Sequence, residues 1–250
     1  MLKILSEIFS QMEIETPENN FVKIHSHTSK EQGLFLQEMF DIAAPSSSLE
    51  VGMAYGISSL FILQKHHEKG NMPGSHLIIE PYPWEGIAEF NFRKANLSCY
   101  AQIEYAKSDE VLPKLYYNKH TIQFAYIDTT KLFDVVMQDI YFIDKILDVN
   151  GIIVMDDCGG GWPGIQKAAR FLNSLPHYKL LKGHQESRIT LKRGIAESAV
   201  RSLVKFIPFK TQIFPGFSFR TNSQLKLNYQ CLAFQKISTD QRNWNWDNDL

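Results

Sequence analysis

Between residues 47 and 175 the sequence switches five times from a short apolar run to an amphipathic helical stretch, and this alternation restricts the fold more than any other feature. The strand candidates are SLEVG (48–52), HLIIEPYP (76–83), IEYAKSD (103–109), IQFAYIDTT (122–130) and GIIVMDDC (151–158). Helical patterns follow them at 57–70, 84–97, a short stretch around EVLPKLYYN, 131–148 and 165–175. Several of the strands are continuously apolar, which suits burial on both faces. Strand and helix in strict alternation indicate a parallel sheet covered by helices on both sides, with right-handed crossovers.

The flanks are read from the same signals. MLKILSEIFSQMEIE reads as a short amphipathic helix with Leu2, Leu5, Phe9 and Met12 on one side, and KEQGLFLQEMFDIAA (30–44) as a helix stopped by Pro45. NYQCLAFQKI (228–237) reads as a last strand, and the polar QRNWNWDNDL as a loosely held end. At 250 residues and 44% hydrophobic, the chain can build one sizeable core. We expect a single domain over 1–250, divided into an N-terminal helical segment (1–45), a core (46–185), a cap or insertion (186–228) and a last strand (229–237). A net charge of −1 gives no electrostatic reason for a nucleic-acid or membrane-surface partner. No apolar run reaches the roughly 18–20 residues of a membrane span, and Glu7 comes too early for a signal-peptide core. Three widely spaced cysteines fit neither a disulfide framework nor a zinc pattern, so a reducing, cytoplasmic setting is expected.

In an open parallel sheet, ligands bind beyond the carboxyl ends of the strands. Those ends carry a consistent chemistry in this chain. The first closes in Glu50-Val51-Gly52 with Gly56 four residues on, the second in Glu80, the third in Lys107-Ser108-Asp109, the fourth in Asp128 and the fifth in Asp156-Asp157. Gly52 permits a positive φ and leaves no Cβ in a ligand's way, and Gly56 lets the next helix begin close to the strand. Neither the dinucleotide pattern G-x-G-x-x-G, where this chain has Ala54, nor a phosphate-binding Gly-Lys-Ser/Thr loop is present. A carboxylate at the position of Glu80 can accept the hydroxyls of a ribose. The bland alternatives are a ligand-free tight turn at Gly52 and a solvated Glu80.

Glu50-Val51-Gly52-x-x-x-Gly56, Glu80, Ser108 and Asp128 resemble the motifs of class I S-adenosylmethionine (SAM)-dependent methyltransferases. IDTTK (127–131) has the D-x-x-K spacing of the catechol and caffeoyl-CoA O-methyltransferases, and MDDCGGGWPG (155–164) is similar to the D-N pair after their fifth strand. EQGLFL (31–36) resembles a segment before their first strand, and DDC…PGIQKAARF is similar to bacterial methyltransferases acting on small molecules. The resemblance spans roughly residues 30–175. It implies a Rossmann-like, doubly wound, mostly parallel seven-stranded α/β sheet with a C-terminal insertion, and an enzyme that methylates a small-molecule hydroxyl with SAM. By the same resemblance Glu50, Gly52 and Gly56 surround the methionine part of SAM, Glu80 holds the ribose, and Ser108 lies by the adenine. Asp128, which also borders the cofactor, joins Asp156 and Asp157 in binding Mg²⁺ or another divalent cation. Lys131 stands at the position of the catalytic base. Asp157 replaces the family's Asn, and Thr129-Thr130 replace residues that are often charged or aromatic there.

Methyl transfer from a sulfonium needs alignment, and the acceptor hydroxyl must lose its proton. A hard cation on Asp128, Asp156 and Asp157 would lower the hydroxyl's pKa. Lys131, placed on the first turn of the helix after Asp128, would serve as base if burial lowered its pKa; otherwise it is a solvated helix-start lysine. Tyr82 and Trp84 could lie along the adenosine, and Trp162 could wall the acceptor pocket or pack under its loop. His25 and His27 read as a surface pair or as lining the site entrance, His66 and His67 as histidines favouring a helix dipole, and Cys158 as a packing residue. The basic residues Arg188, Lys192, Arg193, Arg201, Lys205, Lys210, Arg220 and Lys226 suit either an anionic acceptor or a solvated face. Two other functions stay open: a metal-free methyltransferase acting on another atom, and a degenerate SAM-binding or interaction module. The sequence leaves the oligomeric state open, with a homodimer as the assembly that the resemblance suggests.

Overall fold

The computed structural model describes residues 2–25, 27–159, 161–184 and 222–246. Helix α1 (Lys3–Gln11) leads into a small hairpin of β1 (Glu13–Glu15) and β2 (Phe21–Lys23), and α2 (Lys30–Ala43) follows. The alternating core then runs β3 (Ser48–Val51), α3 (Ile57–Glu68), β4 (His76–Ile79), α4 (Ile87–Lys94), β5 (Ala101–Glu104), α5 (Ser108–Tyr117), β6 (Ile122–Ile127), α6 (Phe133–Ile146), β7 (Leu147–Met155) and α7 (Pro163–Ser174). It closes with β8 (Tyr178–His184) and β9 (Cys231–Lys236).

Seven strands form one sheet in the order β5-β4-β3-β6-β7-β9-β8. Strands β5, β4, β3, β6 and β7 are parallel, and β9 runs antiparallel between β7 and β8. The expected doubly wound α/β sheet is therefore present. Residues alternate between its two faces. Leu49, Val51, Leu77, Ile79, Ala125, Ile127, Ile153 and Met155 face one core with residues of α5, α6 and α7. Phe124, Tyr126, Ile152 and Val154 face α2 and α3 on the other side. The chain winds outward from β3 in both directions, to β4 and β5 on one side and to β6 and β7 on the other. The switch point thus lies at the carboxyl ends of β3 and its neighbours.

Several boundaries differ from the sequence reading for identifiable reasons. In α1 the buried positions are Leu5 and Ile8, while Met12 is exposed in a left-handed C-cap (φ 55°). Helix α6 begins at Phe133, so Lys131 precedes the helix rather than sitting on its first turn. Strand β5 stops at Glu104, and Ser108 opens α5 instead of ending a strand. The C-terminal segment is held through Trp246. Arg242 makes two side-chain hydrogen bonds to Asp240 and lies over the Trp246 ring at 4.7 Å. Asp240, Asp144 and the buried His177 form a group whose potential ligand atoms lie within 4.8 Å of one another. Lys145, Lys236 and Arg242 reach the same carboxylates. Three fixed cations against two acids make this a latch at the amino end of the sheet, with no charge left to attract a metal. Lys236 also donates to the carbonyls of Asp144 (2.5 Å) and Leu147 (2.9 Å), satisfying the end of α6.

Helix α2 starts with a capping box, in which Ser29 and Gln32 exchange side-chain and backbone hydrogen bonds. It presses against α3 at Gly33, where any Cβ would overlap the Phe61 ring. Gly33→Val is expected to destabilise the fold by about 1–3 kcal/mol through overpacking. Combining it with Phe61→Leu should recover part of that loss. Urea titrations of the two single variants and the double variant test this, and additive losses would disprove the contact.

Candidate active site

Beyond the carboxyl ends of β3, β4 and β6 lies a cleft of about 660 Å³, within the size range of small-molecule sites. Val51, Gly52, Ala54, Ile79, Glu80, Tyr82, Trp84, Lys107, Ser108, Asp109, Asp128, Thr129, Leu132 and Gln138 are among its walls. Five of the expected site residues are thus in or beside one crevice: Gly52, Glu80, Ser108 and Asp128 line it, and Gly56 closes the turn behind Ala54. Glu50, Lys131, Asp156 and Asp157 lie outside the lining.

The turn after β3 is fixed by sterics and by one carboxylate. Gly52 has φ 87°, and a Cβ there would overlap the carbonyl oxygen of Asp128, so the absent side chain lets β3 and β6 end side by side. Gly56, at φ 79°, is the N-cap of α3, and a Cβ there would press on Ala88 and Phe92 of α4. Glu80 Oε2 accepts the backbone N–H groups of Met53 and Ala54, each at 3.0 Å, and Oε1 accepts that of Tyr82 at 3.1 Å. A carboxylate has about four lone-pair positions, so one acceptor position remains for a ligand, where the sequence reading expected room for both hydroxyls of a ribose.

Glu50 does not face the cleft. One residue before Val51 in a strand, it points to the opposite sheet face, and it is fully buried. Its carboxylate accepts hydrogen bonds from Ser58 and Ser59 on the first turn of α3 and from His76 Nε2 at 3.0 Å. His76 Nδ1 meets Ser48 Oγ at 2.7 Å, Ser48 Oγ meets His66 Nε2 at 2.7 Å, and Asn71 Nδ2 meets His66 Nδ1 at 2.8 Å. Asn71 also donates to the carbonyl of Pro45, which fixes its amide orientation. Burial, with His76 adding to it, pulls the His66 imidazole down to about 3, so the ring is neutral. One donor order then satisfies every member: Asn71 to His66, His66 to Ser48, Ser48 to His76, and His76 to Glu50. His66 is therefore a buried relay member and not a charged partner of the helix dipole. His67 is exposed, against Tyr100.

Asp156 and Asp157 point in different directions. Asp156 is turned inward. Its Oδ1 accepts from Gln32 Nε2 (3.0 Å), Gln230 Nε2 (3.2 Å), Cys231 Sγ (3.1 Å) and the Asp157 N–H (2.7 Å), and its Oδ2 from Tyr126 (3.2 Å). Burial and the neighbouring Asp157 push its carboxyl up. Asp157, with φ 57°, turns outward and accepts from Gln230 at 2.7 Å. The Lys131 Nζ lies 2.8 Å from Asp128 Oδ1 and 2.6 Å from Asp157 Oδ2. Burial and Asp156 push the Asp128 carboxyl up to about 7, with Lys131 opposing. For Lys131, burial is outweighed by Asp128 and Asp157, and its pKa rises. The expected depressed lysine is thus replaced by one held as ammonium. The three aspartates do not fit a metal as arranged, because Asp156 has its oxygens engaged and the ammonium fills the gap between the other two.

Some polar groups at the cleft give no clear sequence signal. Among the described residues, Trp84 Nε1 and Gln138 Nε2 are buried in its wall without hydrogen-bond partners, leaving two donor nitrogens for a ligand. Trp84 and Glu85 both have positive φ (44° and 56°), and Trp84 packs on Tyr55, which bonds His25 at 2.9 Å. His25 is therefore tied into the wall behind the turn. Trp162 is 47% exposed, and Cys158 is buried as expected. Of the basic residues, Arg188, Lys192, Arg193, Arg201, Lys205, Lys210 and Arg220 lie outside the described residues, and Lys226 is exposed. Among the described residues no helix is long and apolar enough to cross a membrane.

Residues 49–158 match a family model described as a methyltransferase domain. No curated protein matches the sequence. Among solved structures, the fold is similar to an O-methyltransferase from Bacillus cereus in complex with S-adenosylhomocysteine (SAH), with 19% identity, 71% of this chain and 82% of that chain covered, and a TM-score of 0.57. The SAH-bound methyltransferase PaMTH1 of Podospora anserina gives 16% identity, coverage of 72% and 83%, and a TM-score of 0.57. TomG of Streptomyces achromogenes, an O-methyltransferase involved in tomaymycin synthesis and solved with SAM, gives 15%, 72% and 81%, and 0.55.

Asp139, next to Gln138 on α6, is fully buried, and among the described residues neither oxygen finds a donor in hydrogen-bonding geometry. Burial pushes its carboxyl from 3.8 up to about 6; Ser108 beside it pulls the other way and Asp109 adds to the rise. A folded-state value above the unfolded one means that the native protein holds the proton more tightly. The stability this gives is complete below about pH 4 and is lost as pH rises through about 6. Asp139→Asn should therefore be more stable than the parent at pH 7.5, by about 2 kcal/mol, with the difference shrinking below pH 5. Thermal denaturation across pH 4–8 tests this, and a pH-independent difference would rule it out.

Proposed function

We propose that this chain, whose residues 49–158 match a methyltransferase domain, is a class I SAM-dependent methyltransferase that transfers the methyl group of SAM to a hydroxyl oxygen of a small molecule. The observation that carries this reading is Glu80, whose carboxylate ties down the glycine turn while keeping one acceptor position at the edge of the cleft. On this reading the ribose meets Glu80 and the adenine lies by Ser108, with Tyr82 and Trp84 along the adenosine. The methionine part runs along the turn from Gly52 to Gly56, with Glu50 acting from behind through Ser58 and Ser59. The acceptor approaches from the side of Asp128. In the transfer, the sulfur–methyl bond breaks with its electron pair going to sulfur, the oxygen–methyl bond forms, and the hydroxyl proton passes to the Asp128 carboxylate. SAH and the methyl ether are the products. Leaving sulfur needs no proton, so alignment and deprotonation are the two tasks left to the protein.

The divalent cation that the resemblance implied on Asp128, Asp156 and Asp157 is not part of this reading, because the Lys131 ammonium stands between Asp128 and Asp157 and Asp156 is held by interior donors. We read residues 1–250 as one methyltransferase-like domain. The free cysteines Cys99, Cys158 and Cys231 suit a cytoplasmic setting, and a homodimer is the assembly we favour.

Calorimetry with SAM and with SAH should give one site per chain. Glu80→Gln should weaken SAM at least tenfold, which corresponds to about 1.4 kcal/mol, while circular dichroism shows the fold retained. An unchanged affinity would remove Glu80 from the ribose. SAM labelled in its methyl group, incubated with a panel of phenols, sugars and hydroxy acids, should yield labelled ether and SAH. Tight SAM binding with no transfer to any of them would favour the binding-module reading.

A further inference from the structure

Lys131 occupies the place where the aspartates at the ends of β6 and β7 would gather a metal ion. Its Nζ lies 2.8 Å from Asp128 Oδ1 and 2.6 Å from Asp157 Oδ2. An oxygen-bound divalent cation needs its ligands at about 2.0–2.6 Å, so an ion drawn to these two oxygens would enter the same gap and meet the ammonium. The third candidate ligand cannot compensate. Asp156 is turned to the interior, and donors from Gln32, Gln230, Cys231, Tyr126 and the Asp157 backbone hold its two oxygens. Gln230 also holds the other Asp157 oxygen at 2.7 Å, which keeps that carboxylate turned toward Lys131. The lysine side chain is 26% exposed and lies one residue after Thr130, which lines the cleft. Two of its three N–H groups serve Asp128 and Asp157, and the third is available to an acceptor oxygen.

We propose that the Lys131 ammonium is the built-in cation of this site: it excludes a divalent ion from the Asp128–Asp157 pair and holds the acceptor oxygen in its place. The acceptor's part in this rests on the methyl-transfer reading, whereas the exclusion of the ion does not. During transfer the lysine keeps its proton. It donates a hydrogen bond to the acceptor oxygen while that oxygen loses its own proton to Asp128.

Binding of Mn²⁺ to the full chain, followed by the loss of its free electron paramagnetic resonance signal, tests the proposal directly. The parent protein should show no Mn²⁺ binding that Asp128→Asn abolishes. Lys131→Met, which removes the ammonium and leaves both carboxylates, should bind one Mn²⁺ at least tenfold more tightly than the parent, and adding Asp128→Asn to it should abolish that site. Lys131→Gln serves as a second variant and should behave as Lys131→Met does. Binding by the parent that Asp128→Asn removes would overturn the proposal. So would folded Lys131 variants that gain no Asp128-dependent site. Calorimetry with SAM on the same samples separates the two questions, because absent SAM binding would refute the methyl-transfer reading and leave the Mn²⁺ result intact.

Discussion

The buried carboxylate of Asp156 is the constraint on which the site end of the sheet depends. It lies just past β7 and collects donors from α2, β6, β9 and the residue before β9. An ionised or half-ionised carboxylate in the interior is costly unless its oxygens are satisfied. That requirement brings Gln32, Tyr126, Gln230 and Cys231 to one point. Gln32 also caps α2, so the same side chain sets where the N-terminal helix begins and where the fifth parallel strand ends. With Asp156 fully engaged inside, its neighbour Asp157 is left to turn outward to Lys131. The DD pair therefore divides into one structural and one outward carboxylate.

A second buried acid plays the corresponding part on β3. Glu50 draws the first turn of α3 toward the strand through two serines, and the imidazole–serine–imidazole relay supplies its third donor. The positions of Gly52 and Gly56 complete the arrangement from the backbone side. The mouth of the cleft is thus held by a buried carboxylate from beneath and by the absence of side chains above.

Much of this was legible in the sequence. Continuous apolar runs located β3, β4, β6 and β7, and the acidic or glycine ends of the strands pointed to one crevice. Less legible was which way each acid faces. Glu50 and Val51 are adjacent in a strand and so lie on opposite faces, a rule that motif matching passes over. Asp156 and Asp157 separate for a related reason, helped by the left-handed backbone of Asp157. The state of Lys131 could not be read from its burial alone, because distances to two carboxylates decide the sign of its shift. Strand β8 and the hairpin of β1 and β2 escape hydrophobic patterning because they are short or mixed in burial. Trp246 looked free because a latch built from Asp144, His177 and Asp240 leaves no local trace, whereas Trp244 is 93% exposed.

The pairing of β8 with β9 has a consequence of its own. His184 and Cys231 are partners in register, so the chain between them departs from and returns to neighbouring points on the rim where the parallel strands end. A detour whose two feet already touch adds little closure entropy as it lengthens, about 0.6 kcal/mol for each doubling. A connection whose ends are pinned by this pair can therefore differ in length without moving β8 or β9.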